Sequence, residues 1–187
     1  SGVPGHEMMT PLMLRSAAGK DPSGIAAGYM GRVAYRLGGK RYFIDKLPFN
    51  FLYLGFIAKA WPRARIVHLV RDPMDACFSM YKQLFTWAYK YSYSLDWLGQ
   101  YYVAHRRLQD HWQSVLGDRI VEVSYETLVS DPENQTRILL EKIGLEFEPA
   151  CLDFYKNKSP STTASSVQIR ERAHSQSVGR WKHFASQ

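Results

Sequence analysis

Ala64-Arg65-Ile66-Val67-His68-Leu69-Val70-Arg71-Asp72-Pro73-Met74-Asp75-Ala76-Cys77-Phe78-Ser79 carries the clearest structural signal in the chain. After the helix-breaking Pro62, residues 64–70 form an almost continuous β-branched and aliphatic run, which predicts a parallel strand buried on both faces. The run ends in Arg71-Asp72-Pro73, and residues 74–86 have helical spacing, with Asp72 placed as N-cap and Pro73 at the first helical position. A strand that passes straight into a helix is half of an α/β unit, and the same grammar recurs on both sides. Upstream, residues 41–45 (Arg-Tyr-Phe-Ile-Asp) read as a short buried strand, followed by Lys46-Leu47-Pro48 and a helix over 51–60. Downstream, residues 119–125 read as a strand, and a helix runs from Asp131-Pro132-Glu133 to about Ile143, closed by Gly144. Between them Leu95, Leu98, Tyr101, Tyr102, Ala104, Leu108, Trp112 and Val115 recur at steps of three and four, which predicts one long amphipathic helix stopped by Gly117-Asp118. Residues 24–37 predict one helix after a loop, residues beyond Pro149 a short helix, and residues 159–166 a Ser/Thr-rich loop before a basic tail. The alternation implies a three-layer α/β fold, a parallel sheet flanked by helices, with ligands at the carboxyl ends of the strands.

Composition agrees with a single domain over residues 1–187: 45% hydrophobic, 14% aromatic and 22% charged, with 13 Gly and 9 Pro. A chain of this length buries roughly 70% of its unfolded surface and needs no disulfides. The two cysteines, Cys77 and Cys151, match no disulfide scaffold and no zinc spacing. No apolar run reaches the 18 or more residues of a membrane span. No signal peptide is visible, and a start at Ser1-Gly2 without Met fits a processed, tagged or trimmed version of a longer chain. The balance of 24 Lys plus Arg over 17 Asp plus Glu gives +7, which suits an anionic ligand. These cations are scattered, which argues against a polybasic nucleic-acid segment.

Three places can carry chemistry. At the first, Arg71 sits at a strand end with a helix starting behind it. Its guanidinium fork and the amides of the helix N-terminus favour a phosphate, and Ser79, two turns on, can add a hydroxyl. The alternative is that Arg71 and Asp72 form a structural pair capping the helix. The second is Lys46, wedged between a predicted strand and Pro48, where an ammonium can neutralise charge on a transferring group; a solvated surface lysine is the plainer reading. The third is Ser177-Val178-Gly179-Arg180-Trp181-Lys182, in which Gly179 lets backbone approach a ligand and two cations flank an aromatic, or which is ordinary surface around one buried Trp. There is no Walker sequence, no GxGxxG, no GxSxG and no metal-ligand spacing, and the six histidines are dispersed. The aromatic stretch Trp87, Tyr89, Tyr91, Tyr93 and Trp97 reads as core or interface before it reads as an acceptor cleft.

Together these residues resemble the sulfotransferases that use 3'-phosphoadenosine 5'-phosphosulfate (PAPS), specifically the group of tyrosylprotein sulfotransferases and of bacterial enzymes fused to tetratricopeptide repeats. The resemblance covers nearly the whole chain. It rests on Asp45-Lys46-Leu47-Pro48-Phe49-Asn50, residues 51–55, Ala64-Arg65-Ile66-Val67-His68 with Arg71-Asp72-Pro73 and Ser79, residues 123–129 before Asp131-Pro132, and Ser177-Val178-Gly179-Arg180-Trp181. It implies a P-loop NTPase-like sulfotransferase fold. Arg71 and Ser79 would bind the 3'-phosphate and Tyr125 the nucleotide. Lys46 would steady the bridging oxygen of the leaving phosphate, and Gly179, Arg180, Trp181 and Lys182 would fold over the nucleotide. Ser165 or Ser166 would contact the sulfuryl group. Glu7 would be the general base, with His6 as its rival. The cofactor implied is PAPS, the product adenosine 3',5'-bisphosphate, and no metal is required. The acceptor is a hydroxyl on protein tyrosine, carbohydrate, lipid or another small molecule.

The chain departs from the family pattern in one respect. Family members begin with a strand and a phosphate-binding loop of the form Pro-Arg-Ser-Gly-Thr-Thr, and nothing like it precedes Glu7; Val3-Pro4-Gly5 is no substitute. The expectation is therefore a sheet without its first strand in this sequence, and a homo-oligomer is one way to fill such an edge. The alternative function is a non-catalytic nucleotide-binding or interaction domain derived from the same fold. A P-loop kinase is disfavoured by the missing Walker lysine. A bacterial cytoplasmic location is expected, with the Golgi lumen as the alternative.

Overall fold

The structure, a computed structural model, describes residues 11–83, 85, 89–157 and 171–185. These fall into two compact units, one from the described residues of Ser1–Ala64, Phe85–Lys90 and Val103–Gly117, the other from those of Arg65–Leu84, Tyr91–Tyr102 and Asp118–Gln187.

In the first unit, α1 (Pro11–Ala18) forms where the sequence predicted a loop, and α2 (Pro22–Leu37) covers the expected helix. The Asp21 carboxylate accepts from the amides of Ser23 and Gly24, Pro22 starts the helix, and Gly38 at φ 53° ends it in the left-handed conformation. Pro48 opens a 3-10 turn, Pro48–Tyr53, that runs into α3 (Leu54–Ala60). Leu54 and Ala58 are buried, and the Trp112 indole donates to the Phe51 carbonyl at 2.8 Å. A Cβ at Gly55 would stand 3.0 Å from the Trp112 ring, so glycine is what lets the indole seat there. Phe51 meets His105 edge-on at 4.6 Å, and Tyr29 meets Trp61 in the same way at 5.3 Å.

The predicted strand over residues 41–45 is a correction. The segment forms no regular secondary structure and joins no ladder among the described residues, and Ile44 is 94% exposed. Composition sets a strand's preference, whereas pairing requires a neighbour that local sequence does not name.

In the second unit, β1 (Ile66–Val70) and β2 (Ile120–Ser124) pair in parallel, with Ile66 opposite Ile120 and Val70 opposite Ser124. This two-stranded parallel sheet with flanking helices is the part of the expected α/β architecture visible among the described residues. Burial on both faces does not hold for β1, because Val67 and Leu69 are 47% and 54% exposed. Their register partners Val121 and Val123 are buried, and it is β2 that carries the packing of α6 (Tyr125–Ser130) and α7 (Pro132–Ile143). The chain reaches α4 (Pro73–Lys82) directly after β1, capped by Asp72 as predicted. The long helix α5 (Leu95–Leu116) has its first residues, up to Tyr102, in this unit and buries Leu98 there at 1% exposure; its remaining residues and Gly117, at φ 52°, belong to the first unit. The helix α6 was not foreseen. The Ser124 hydroxyl ends β2 by accepting from the Thr127 amide and so starts a helix. Gly144, at φ 76°, and the Leu145 amide bonded to Leu140 close α7 in a Schellman-type turn.

Candidate functional site

The second unit gathers three segments far apart in sequence at the carboxyl ends of β1 and β2. Arg71, the residue after β1, donates from Nη2 to the Ser177 carbonyl at 2.6 Å, and its guanidinium carbon lies 4.9 Å from the Tyr125 ring centroid. That is a cation resting on an aromatic face. Arg71 Nε is buried and has no hydrogen-bond partner, so part of the fork remains unspent. The Asp72 amide donates to Glu126 at 2.9 Å, and Ser124 donates its hydroxyl to the same carboxylate at 2.9 Å. Asp72 caps α4 by accepting from the Asp75 amide at 2.9 Å. The capping alternative is thus realised for Asp72, whereas Arg71 turns to Tyr125 and Ser177.

Residues 175–184 form a strap of two short 3-10 turns, Ser175–Ser177 and Arg180–Phe184. Gly179 between them adopts φ 70°, a conformation that costs other residues about 1–2 kcal/mol, which gives this glycine its place. The strap lies on one face of α4: Asp75 accepts from the Gly179 amide, Phe78 meets Phe184 at 4.8 Å, and the Lys82 ammonium sits 5.1 Å from the Phe78 ring. Positions 75, 78 and 82 share that face by helical periodicity. Arg180 and Ser177, with His174, Gln176, His183 and Phe184, line an open hollow in the strap. The Lys182 stem lies over Gly179, Trp181 contributes its amide to Asp75, and Ser79 is exposed on α4.

Two carboxylates here had no role in the sequence reading. Asp75 looks like an ordinary first-turn acid, and its partners are more than a hundred residues away. Glu126 comes directly after the strand predicted over residues 119–125 and stood only within the segment quoted for the resemblance. Partial burial opposes its charge, but hydrogen bonds from the Asp72 amide, its own amide and Ser124, together with the Arg71 charge, outweigh that and hold its carboxyl below the usual range. A depressed folded value means that the stabilisation is complete above the unfolded carboxyl's value of about 4.3 and is lost as pH falls through the lower folded value. Glu126→Gln is therefore expected to lower the unfolding midpoint at pH 7 and to converge with the parent only as pH falls below the lowered folded value. A constant difference across a pH series of thermal melts would remove the charge from this account. Cys77, in α4, has its thiol pushed up by burial and then by Asp72, which makes it a poor nucleophile.

Lys46 belongs to the first unit. It is exposed and follows Asp45, whose carboxylate accepts one short hydrogen bond from the Tyr29 hydroxyl and another from the Asn50 amide at 2.8 Å. The Tyr29 phenol is raised mainly by that bond to Asp45, then by burial and charge. On the other side the Leu47 carbonyl accepts from the Asn50 amide at 3.0 Å, so the backbone carrying Lys46 is fixed at both ends. Of the aromatic stretch, Tyr89 packs on Phe49 and Phe85, Tyr91 stacks on Tyr101 at 3.9 Å, and Tyr93 and Trp97 are exposed. His6, Glu7, Ser165, Ser166 and Trp87 lie outside the described residues. Among the described residues no three His, Cys, Asp or Glu gather as metal ligands, and no helix is long and apolar enough to cross a membrane.

Comparison with known proteins gives this geometry a setting. A profile of the sulfotransferase family matches residues 2–149. Over 159 residues the chain is 35% identical to an uncharacterized protein of Aquifex aeolicus, covering 83% of this chain and 21% of that one. Over 114 residues it is 29% identical to an omega-hydroxy-beta-dihydromenaquinone-9 sulfotransferase of Mycobacterium tuberculosis, covering 56% of this chain and 29% of the relative. The Mycobacterium bovis protein of the same name matches equally well. The chain thus spans less than a third of the length of these relatives.

Proposed function

The chain belongs to the sulfotransferase family, and on that premise we propose that it holds the 3'-phosphate of PAPS at Arg71 and takes part in sulfuryl transfer to a hydroxyl acceptor. The observation that carries this reading is the meeting of Arg71, the Tyr125 ring and the Ser177 carbonyl, since each lies in a segment that the family resemblance independently assigns to the nucleotide. The residues fit such a group. A half-buried guanidinium with an unpartnered Nε has donor capacity left for a phosphate, and the strap's hollow adds Arg180.

When bound, PAPS supplies the activated sulfuryl group, and the protein's work is positioning and charge stabilisation. Arg71 orients the nucleotide through its fork, with Ser79 as a hydroxyl donor. Lys46 supports the charge that develops on the leaving phosphate, and Gly179 to Lys182 exclude water over the nucleotide. Glu7 takes the acceptor's proton, with His6 as the rival base, and Ser165 or Ser166 serves the sulfuryl oxygens. The mycobacterial relative is named for a hydroxylated menaquinone, which places lipid alcohols beside phenols and carbohydrates as acceptors to try.

Calorimetric titration with adenosine 3',5'-bisphosphate, against adenosine 5'-monophosphate as control, tests this. Binding at least tenfold tighter for the bisphosphate is expected. Equal affinities, or none, would overturn the 3'-phosphate site, and selective binding without turnover on any acceptor would leave the non-catalytic alternative.

A further inference from the structure

We propose that Asp75 is the positioning residue that seats the strap, residues 175–184, on α4, and that through the strap it sets the affinity of the nucleotide site at Arg71. Asp75 is only 2% exposed, and among the described residues its carboxylate has no cationic partner. A buried carboxylate must be compensated, and here two backbone amides of the strap do it: Gly179 donates to Oδ2 at 2.5 Å and Trp181 donates to Oδ1 at 3.1 Å. Both amides stand at the head of the turn Arg180–Phe184, where a helix leaves donors without internal partners. Each side thus satisfies what the other would leave orphaned, and lifting the strap exposes the cost of both. Two residues earlier the strap is held again, by Arg71 on the Ser177 carbonyl. An anion binds the strap's amides and a cation binds its carbonyl, so the hollow that holds Arg180 is fixed relative to the strand end. Spending both Asp75 oxygens on amides also disperses a negative charge that would otherwise repel a phosphate.

The affinity half of this proposal rests on the nucleotide reading above, and the experiment separates the two. In Asp75→Asn the side-chain oxygen can still accept one amide, but its nitrogen cannot accept the other. Amide hydrogen exchange over residues 175–184 is expected to rise at least tenfold, with β1 and β2 protection unchanged. In the parent protein, residue-resolved exchange must show the Gly179 and Trp181 amides as the most protected of the strap, a measurement that does not depend on the variant folding. Affinity for adenosine 3',5'-bisphosphate is expected to fall at least tenfold in Asp75→Asn. Arg180→Ala, costly in the parent, is expected to cost little in the Asp75→Asn background, because two residues acting through one element are not additive. Unchanged strap exchange, unprotected Gly179 and Trp181 amides, or fully additive losses would overturn the role of Asp75. A parent protein that fails to bind the nucleotide while the exchange results hold would overturn the affinity half and the site reading alone, leaving the strap anchor in place.

Discussion

Replacing Arg71 by alanine is expected to weaken binding of adenosine 3',5'-bisphosphate by about 1.5–3 kcal/mol, roughly 10- to 150-fold. The figure is that of a hydrogen bond to a charged group, and the structure explains why it should be reached in full. The guanidinium is half-buried, its carbon 4.9 Å from the Tyr125 ring centroid and its Nη2 fixed on the Ser177 carbonyl, so little ordering remains to be done when a phosphate arrives. Alanine removes the charge and also releases one of the strap's polar attachments, the one at the Ser177 carbonyl. The control nucleotide divides these effects. Adenosine 5'-monophosphate lacks the 3'-phosphate, so any weakening that it shares reports the strap, and the remainder reports the lost ion contact. Arg71→Lys is expected to restore only part of the affinity, because a point charge keeps the Coulomb attraction without the planar fork that serves ring and carbonyl together. Unchanged affinity in Arg71→Ala would remove the anion site from this strand end.

What could be read in advance follows from how far each signal reaches along the chain. The β-branched run before Arg71 and the Asp72-Pro73 start of α4 are local, and the structure reproduces both, down to the Asp72 side chain on the Asp75 amide. The glycines that end α2 and α7 are equally local, since each takes the left-handed conformation that no neighbour has to supply. Pairing and burial depend on partners elsewhere. An apolar run cannot say that Val67 and Leu69 lack the cover that their register partners have, nor that the segment holding Ile44 has no strand beside it among the described residues. The helix α6 escaped because Tyr125 continues a strand-like composition, while the deciding group is the hydroxyl of Ser124 just before it. At the candidate site, Arg71 was legible from its strand end, but its contact with Ser177 spans 106 residues and was indicated only through the family resemblance. Asp75 was not legible at all. Its chemistry is that of any acid in a first turn until the strap closes over it.

Lys46→Ala is expected to have the largest effect on turnover, a fall in kcat on the order of 10²–10³, with affinity for adenosine 3',5'-bisphosphate nearly unchanged. A cation that answers charge appearing on the leaving phosphate strengthens its interaction on the way to the transition state, so its removal shows in kcat before it shows in binding. Its placement supports that role. Lys46 is exposed, and among the described residues its ammonium has no carboxylate partner, so its charge is not already spent on the protein. The nearest acid in sequence, Asp45, is occupied by Tyr29 and Asn50. These bonds, with the turn that begins at Pro48, fix the backbone while leaving the lysine side chain free to reach a ligand. A lysine kept only for solubility would need none of this support. The measurement is release of adenosine 3',5'-bisphosphate from PAPS with phenolic, carbohydrate and lipid alcohol acceptors, run beside a binding titration of the same variant. Equal losses in turnover and affinity would make Lys46 a binding residue, and no loss in either would return it to the surface.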